Sequence, residues 1–451
     1  MPPEAVGGNA SADVGEVDET SDAPLGTDGD STRPEASDTG DDTAAVEEVV
    51  DADGDGVPQG EDCDDTNPNA WDPTYEVVPG DQVAWLEYFC SGHCALGLEG
   101  SLWIDEYARP EDVAALTCLT DVGGDVRVAN SHLLVDLGGL DALRRVGGSV
   151  LIGSNDGLRD LTGLGALEFI GGDLSVAQNP ELVELAGLDS LVVVDGGLRL
   201  GDNPKMVAIP GLAALESVGD ADVSYNHSLT DLDGLASLSH VGGRFHILDN
   251  DALVDVSGLS ALSVVEDTLY IAGNDALPDL RGLGAISELD GDLLVSGNDG
   301  LTSLVGLDTL TRVGGTVEVE YNHALSSLAG LDALTGVHGM LTVEGNTGLS
   351  SMEGLDALEW VGGPVRVVRN GALHNLSGLE QLVFVGGTLD VNHNDSLTSI
   401  AGLTSLSTVG DDVTVSENPV LCDDQVTDLC ALLGTGLGGS CMSSNNTGTC
   451  P

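Results

Sequence analysis

The sequence predicts an all-β chain folded as a right-handed parallel β-solenoid, and three observations carry that prediction. From Gly139 onward the chain repeats with a period of 24 residues. Each repeat holds a pair of apolar residues two apart, the spacing of a short strand with one face inward. One asparagine recurs at the same place in every repeat.

Successive units open with Gly-Leu at Gly139, Gly163, Gly187, Gly211, Gly234, Gly258, Gly282, Gly306, Gly330, Gly354, Gly378 and Gly402. Only the unit 211–233 is one residue short. Counting the glycine as 1, apolar residues fall at 2, 5, 8, 12, 14, 20 and 23. Positions 12 and 14, such as Leu174 and Val176, make the strand. The other apolar positions come every third residue, which suits short extended pieces joined at bends, and glycines near positions 1, 9 and 10 supply the bends. An amphipathic helix would mix spacings of three and four. Stacked at about 4.8 Å per rung, twelve or thirteen rungs make a rod on the order of 60 Å long.

The recurring asparagines are Asn155, Asn179, Asn203, Asn226, Asn250, Asn274, Asn298, Asn322, Asn346, Asn370, Asn394 and Asn418. An inward Asn at each corner can pair backbone groups that a sharp bend would leave buried and unsatisfied, so a structural ladder is expected.

Around the repeats, residues 1–50 are acidic, lack aromatics and carry one basic residue, Arg33, so they read as a disordered tether. Residues 51–72 hold an Asp-rich motif, 73–114 a cap with Trp85, Trp103 and two cysteines, 115–421 the repeats, and 422–451 a cysteine-rich cap. Segment 115–138 is a degenerate rung in which Ser131 replaces the asparagine.

The formal charge is −63, from 76 acidic and 13 basic residues, and Lys205 is the only lysine. Nucleic acid and anionic membranes are therefore excluded as partners, because phosphate binding needs a basic footprint. No stretch is long and apolar enough to span a bilayer. The eight cysteines sit at the two ends: Cys63, Cys90, Cys94, Cys118, then Cys422, Cys430, Cys441 and Cys450. That placement predicts cap disulfides in an oxidising, extracellular or cell-surface location, with a signal or lipoprotein segment upstream of Met1.

Between tether and cap, Asp51, Asp53, Asp55, the Val57 carbonyl, Gln59 and Asp62 stand at positions 1, 3, 5, 7, 9 and 12 of a twelve-residue loop with Gly56 at the turn. Alternate carboxylates at this spacing converge on Ca²⁺, and an all-oxygen set disfavours zinc and copper. The final ligand is Asp rather than Glu and no flanking helices are evident.

The run from Asp51 through Asp62-Cys63-Asp64-Asp65-Thr66-Asn67-Pro68 resembles the thrombospondin type 3-like, MopE-type metal-binding motif of secreted bacterial proteins. The repeat Gly-Leu-x-x-Leu-x-x-Val-Gly-Gly-x-Leu-x-Val-x-x-Asn-x-x-Leu resembles the receptor L domain, a leucine-rich-repeat-like β-helix, over roughly residues 97–435. That resemblance implies extracellular ligand binding or adhesion. There are more rungs than in one receptor L domain and no kinase part, so a signalling role does not carry over.

The expected role is therefore recognition or adhesion toward a protein or glycan ligand; a purely structural cell-envelope spacer is the alternative, and a polysaccharide-active enzyme ranks below both. Aromatic and basic residues that break the acidic background mark the candidate ligand face: Tyr225, Arg244, His246 and Tyr270, then Arg366 and Arg369. Glu318, Glu320 and Glu344 come nearest to an acid cluster at outward strand positions and read as solvated. Cys90-Ser91-Gly92-His93-Cys94 lacks a second ligand pair for zinc. The Tyr-Asn-His triplets at 225 and 321 lie four rungs apart, on the order of 19 Å, too far to share a metal.

Overall fold

The computed structural model of the chain describes residues 96–450 other than 106, 107 and 115. The acidic tether, the Asp51–Asp62 motif, Cys63, Cys90, Cys94 and Trp85 lie outside the described residues. What is described is a parallel β-solenoid. Four-residue strands stack in strict sequence order into one sheet of fifteen, from Leu102–Asp105 through Val413–Ser416 to Cys441–Ser444. At about 4.8 Å per step the stack is on the order of 65 Å long.

The seven apolar positions of each unit make the core. In the unit beginning at Gly163, Leu164, Leu167, Ile170, Leu174, Val176, Leu182 and Leu185 are all buried to within 1%. Each such side chain contributes roughly 1.5–3 kcal/mol of apolar burial, realised only when rungs stack above and below. Side chains between them on the strand point outward, giving the alternation of buried and part-exposed residues seen in Leu293–Ser296.

Position 1 is glycine because the chain passes too close to the rung before it. A Cβ on Gly163, whose φ is +114°, would lie 2.0 Å from the Leu137 carbonyl oxygen. A second, shorter strand escaped the sequence reading. Residues at positions 7 and 8, such as Phe169–Ile170, pair rung to rung in runs of eight and six strands. Two residues with one inward member leave no period to detect. The short unit keeps register by losing its residue at the bend: Val194 is followed by three residues before Leu198, but Val218 by only two before Ala221, and both strand pairs align.

The stack extends beyond 115–421 at both ends. Leu102–Asp105 pairs with Val126–Ala129, so a rung lies within the segment expected to be cap. At the other end, Cys441–Ser444 pairs with Val413–Ser416 and completes a last rung. Leu437-Gly438-Gly439 through Asn446 follows the repeat pattern, with Cys441 and Ser443 in place of the two strand apolars. The α-helix Asp423–Leu433 precedes it and lays Val426, Leu429 and Leu433 over the open end of the core. Disulfides Cys422–Cys450 and Cys430–Cys441 fasten this cap, and Cys118 is disulfide-bonded near the other end.

Candidate functional site

The asparagine column is a continuous hydrogen-bonded ladder. Asn298 is fully buried; its Nδ2 reaches the carbonyl of Ile271 on the preceding rung at 3.0 Å and that of Ser296 on its own at 3.2 Å. Its backbone N–H donates to Oδ1 of Asn322 on the next rung at 3.0 Å. The pattern runs from Ser131 to Asn446, which accepts from Asn418 at 3.2 Å. With every polar atom committed inward, this column offers nothing to a ligand.

A second ladder runs along position 11. Ser149 N–H donates to Asp125, Asp173 N–H to the Ser149 hydroxyl, and Gly197 N–H to Asp173, at 2.8, 3.0 and 2.7 Å. Other aspartates close their own turns, as Asp308, Asp332 and Asp356 do by accepting from the backbone N–H two residues earlier. Part of the acidic surplus is thus structural.

On the outward face of the long strands, one rung buries a carboxylate and a hydroxyl together. In Leu341–Glu344 all four residues are buried, although Thr342 and Glu344 point away from the core. Register sets Glu318, Thr342, Arg366 and Asp390 in one row, and Glu320, Glu344, Val368 and Asn392 in the next. Glu344, 7% exposed at its side chain, collects three partners from both neighbouring rungs. Arg369 donates to its Oε1 at 2.5 Å, the Tyr321 hydroxyl donates to the same oxygen at 3.1 Å, and Arg366 lies 3.5 Å from Oε2. Arg366 is also 4.0 Å from Asp390, which accepts from Asn392 at 2.5 Å.

Solvation therefore fails for Glu344, the corrected member of the acid trio: Tyr321 and two arginines wall it in. Glu320 is pushed above the usual carboxylate range, first by burial and then by repulsion from Glu318 and Glu344. The Tyr321 phenol is raised because its proton is held by Glu344. Thr342 is fully buried and its Oγ1 has no hydrogen-bond partner.

The other candidate face residues do not form one site. Arg366 and Arg369 meet at Glu344, and His246 packs edge-on against Tyr270 with ring centres 5.8 Å apart. Arg244 precedes its strand and sits 3.9 Å from Asp220, while Tyr225 follows its strand at the opposite corner. Tyr225 is 45% exposed and lines a shallow groove of about 440 Å³ with His227, Asp202 and Asp156.

The sequence reading also missed a patch on the short-strand side. Trp360 lies over Gly336, where a Cβ would come within 2.2 Å of the indole, and packs edge-on against His338 at 4.8 Å. Arg312 is 3.1 Å from His338 Nε2, and Phe384, 41% exposed, pairs with Trp360 in register. A column of aromatics at position 7 was the available signal.

Among the described residues, one trio of potential metal ligands lies within 4.8 Å: Cys422, Asp424 and Cys450. Both its sulfurs are joined in a disulfide, so neither is a thiolate. No described helix is long and apolar enough to cross a membrane.

No protein-family model and no curated protein matches the chain. Nine solved chains do. One of them, titled "Crystal structure of TLR13-ssRNA13 complex", is 13% identical over 72% of this chain and 63% of that chain, with a TM-score of 0.19. The match thus spans less than two thirds of that chain's length, and so low a score carries no argument. The fold rests on this chain's own strand register: a leucine-rich, 24-residue parallel β-solenoid.

Proposed function

We propose that this protein is an extracellular or cell-surface recognition and adhesion protein, in which the solenoid presents its long-strand face to a protein or glycan ligand. The observation that supports this most is the Glu344 constellation. Burying a carboxylate, two arginine contacts and a tyrosine hydroxyl on an outward face costs desolvation that folding of a repeat does not require. Other rungs place Ser, Ala or Gly there without loss of register. Preorganised charged and aromatic groups on rigid strands are what a binding surface needs. Ca²⁺ at Asp51, Asp53, Asp55, Val57, Gln59 and Asp62 belongs to the same proposal as a stabiliser of the segment leading into the solenoid.

The spacer reading draws on a different observation, the unbroken sheet of fifteen parallel strands. Screening the full chain against immobilised glycans and displayed peptides separates the two. Saturable binding that drops with Glu344→Gln or Tyr321→Phe supports recognition; no saturable binding to any probe leaves the spacer.

A further inference from the structure

Resting on that recognition reading, we infer that the patch formed by Glu318, Glu320 and Thr342 beside Glu344 is a binding site for an organic cation, a guanidinium or primary ammonium group carried by a ligand.

Charge at this spot is not balanced from within. Four carboxylates, Glu318, Glu320, Glu344 and Asp390, face two guanidiniums, Arg366 and Arg369. Both guanidiniums lean on Glu344, and Arg366 is shared with Asp390. Among the described residues, neither Glu318 nor Glu320 has a basic group within ion-pair distance, although Arg366 is near enough to favour the charged form of Glu320. Carboxylates crowded this way on a rigid sheet gain most from a cation that the chain does not supply.

Thr342 is the independent observation. It lies directly opposite Glu318 and Arg366 in register, is fully buried, and its hydroxyl has no partner. A buried hydroxyl without a hydrogen bond is destabilising, so it gains from a partner. Arg366 starts opposite Thr342 and reaches back to Glu344, so its side chain crosses the threonine. At 3.5 Å from one acid and 4.0 Å from another, Arg366 is bound tightly to neither. An arriving cation repels it toward Asp390, uncovering the hydroxyl as an acceptor beside Glu318.

The geometry fits an organic cation better than a metal ion. Glu318, Glu320 and the Thr342 hydroxyl together offer at most five oxygens, short of the six to eight that Ca²⁺ takes. Oε1 of Glu344 is already taken by two hydrogen-bond donors, and Oε2 faces Arg366 at 3.5 Å. The chain itself shows the chemistry, since Arg369 docks on Glu344 as the ligand's guanidinium docks on the neighbouring pair.

The test titrates the full chain with a blocked peptide carrying one arginine, its lysine and citrulline counterparts, and CaCl₂ alone, by calorimetry at about 0.15 M salt, where long-range attraction is screened. Saturable one-to-one binding of the arginine or lysine peptide is expected, with none for citrulline. The double variant Glu318→Gln, Glu320→Gln weakens it about tenfold or more, while Asp251→Asn, Asp275→Asn, which removes as much charge at another edge, does not. Equal loss in both variants shows general attraction to an acidic surface and overturns the proposal. So does absence of peptide binding, or heat from CaCl₂ that the first variant abolishes. If cations fail but a glycan or peptide from the wider screen still responds to Glu344→Gln, the recognition reading survives and only the cation site falls.

Discussion

The hydroxyl of Tyr321 donates to Oε1 of Glu344 on the next rung at 3.1 Å, and the ring gets there by lying across Gly345. A Cβ at 345 would come within 2.5 Å of the Tyr321 ring, and the φ of +70° there already favours glycine. A backbone feature at one corner thus decides what a side chain at another can hold.

Gly345→Ala should therefore release Tyr321 from Glu344. The expected cost is about 1–2 kcal/mol from the left-handed backbone alone. Tyr321→Phe loses the hydrogen bond without the strain. If thermal unfolding places the alanine variant no lower than the phenylalanine variant, the ring does not depend on glycine.

Asn298→Leu should destabilise by about 1–3 kcal/mol, because the carbonyl of Ile271 and the backbone N–H of Asn274 lose their partner in a dry corner. Denaturant unfolding measures it. The matched change of an outward residue, Ser296→Ala, should fall within about 0.5 kcal/mol.

Glu320→Gln should stabilise the protein at neutral pH. Its carboxyl is raised above its ordinary value, so the folded state holds the proton more tightly than the unfolded one, and stability falls as pH rises through the carboxylate range. Removing the charge abolishes this loss. Because the group is partly solvated, screening keeps the gain under about 1 kcal/mol. Melting curves from pH 3 to 8 should converge at the acid end and separate as pH rises; a constant offset would place the effect elsewhere than in Glu320 ionisation.

Removing the disulfide Cys430–Cys441 by paired serine substitutions should cost about 3 kcal/mol, the chain-entropy value for a loop closed over 11 residues. Hydrogen exchange should then show the end rung Cys441–Ser444 opening before the middle of the stack, since an end rung is packed on one side only.

Calcium titration of the whole chain should give saturable heat and a higher thermal midpoint, and the triple variant Asp51→Asn, Asp53→Asn, Asp55→Asn should give neither. Identical curves would reduce the segment to acidic linker.

The repeat period, the strand at positions 12 and 14 and the asparagine column were legible because each is imposed on every rung. A residue type that recurs once per rung is seen a dozen times in one chain. The last rung was hidden: Cys441 and Ser443 stand where leucine and valine would, and the interval from Asn418 to Asn446 is 28 residues because a helix is inserted. The two-residue strands were too short to carry a period.

The sequence alone determined the solenoid, its register and its corners, since burial every second or third residue over 24-residue units leaves the chain one way to hide its leucines. Which outward residues meet was decided only by stacking. Glu344 is separated from Tyr321 by 23 residues and from Arg369 by 25, and these become neighbours because each is close to one whole turn. Burial of Glu344 and Thr342 followed from the length and reach of side chains on adjoining rungs, which no single repeat contains.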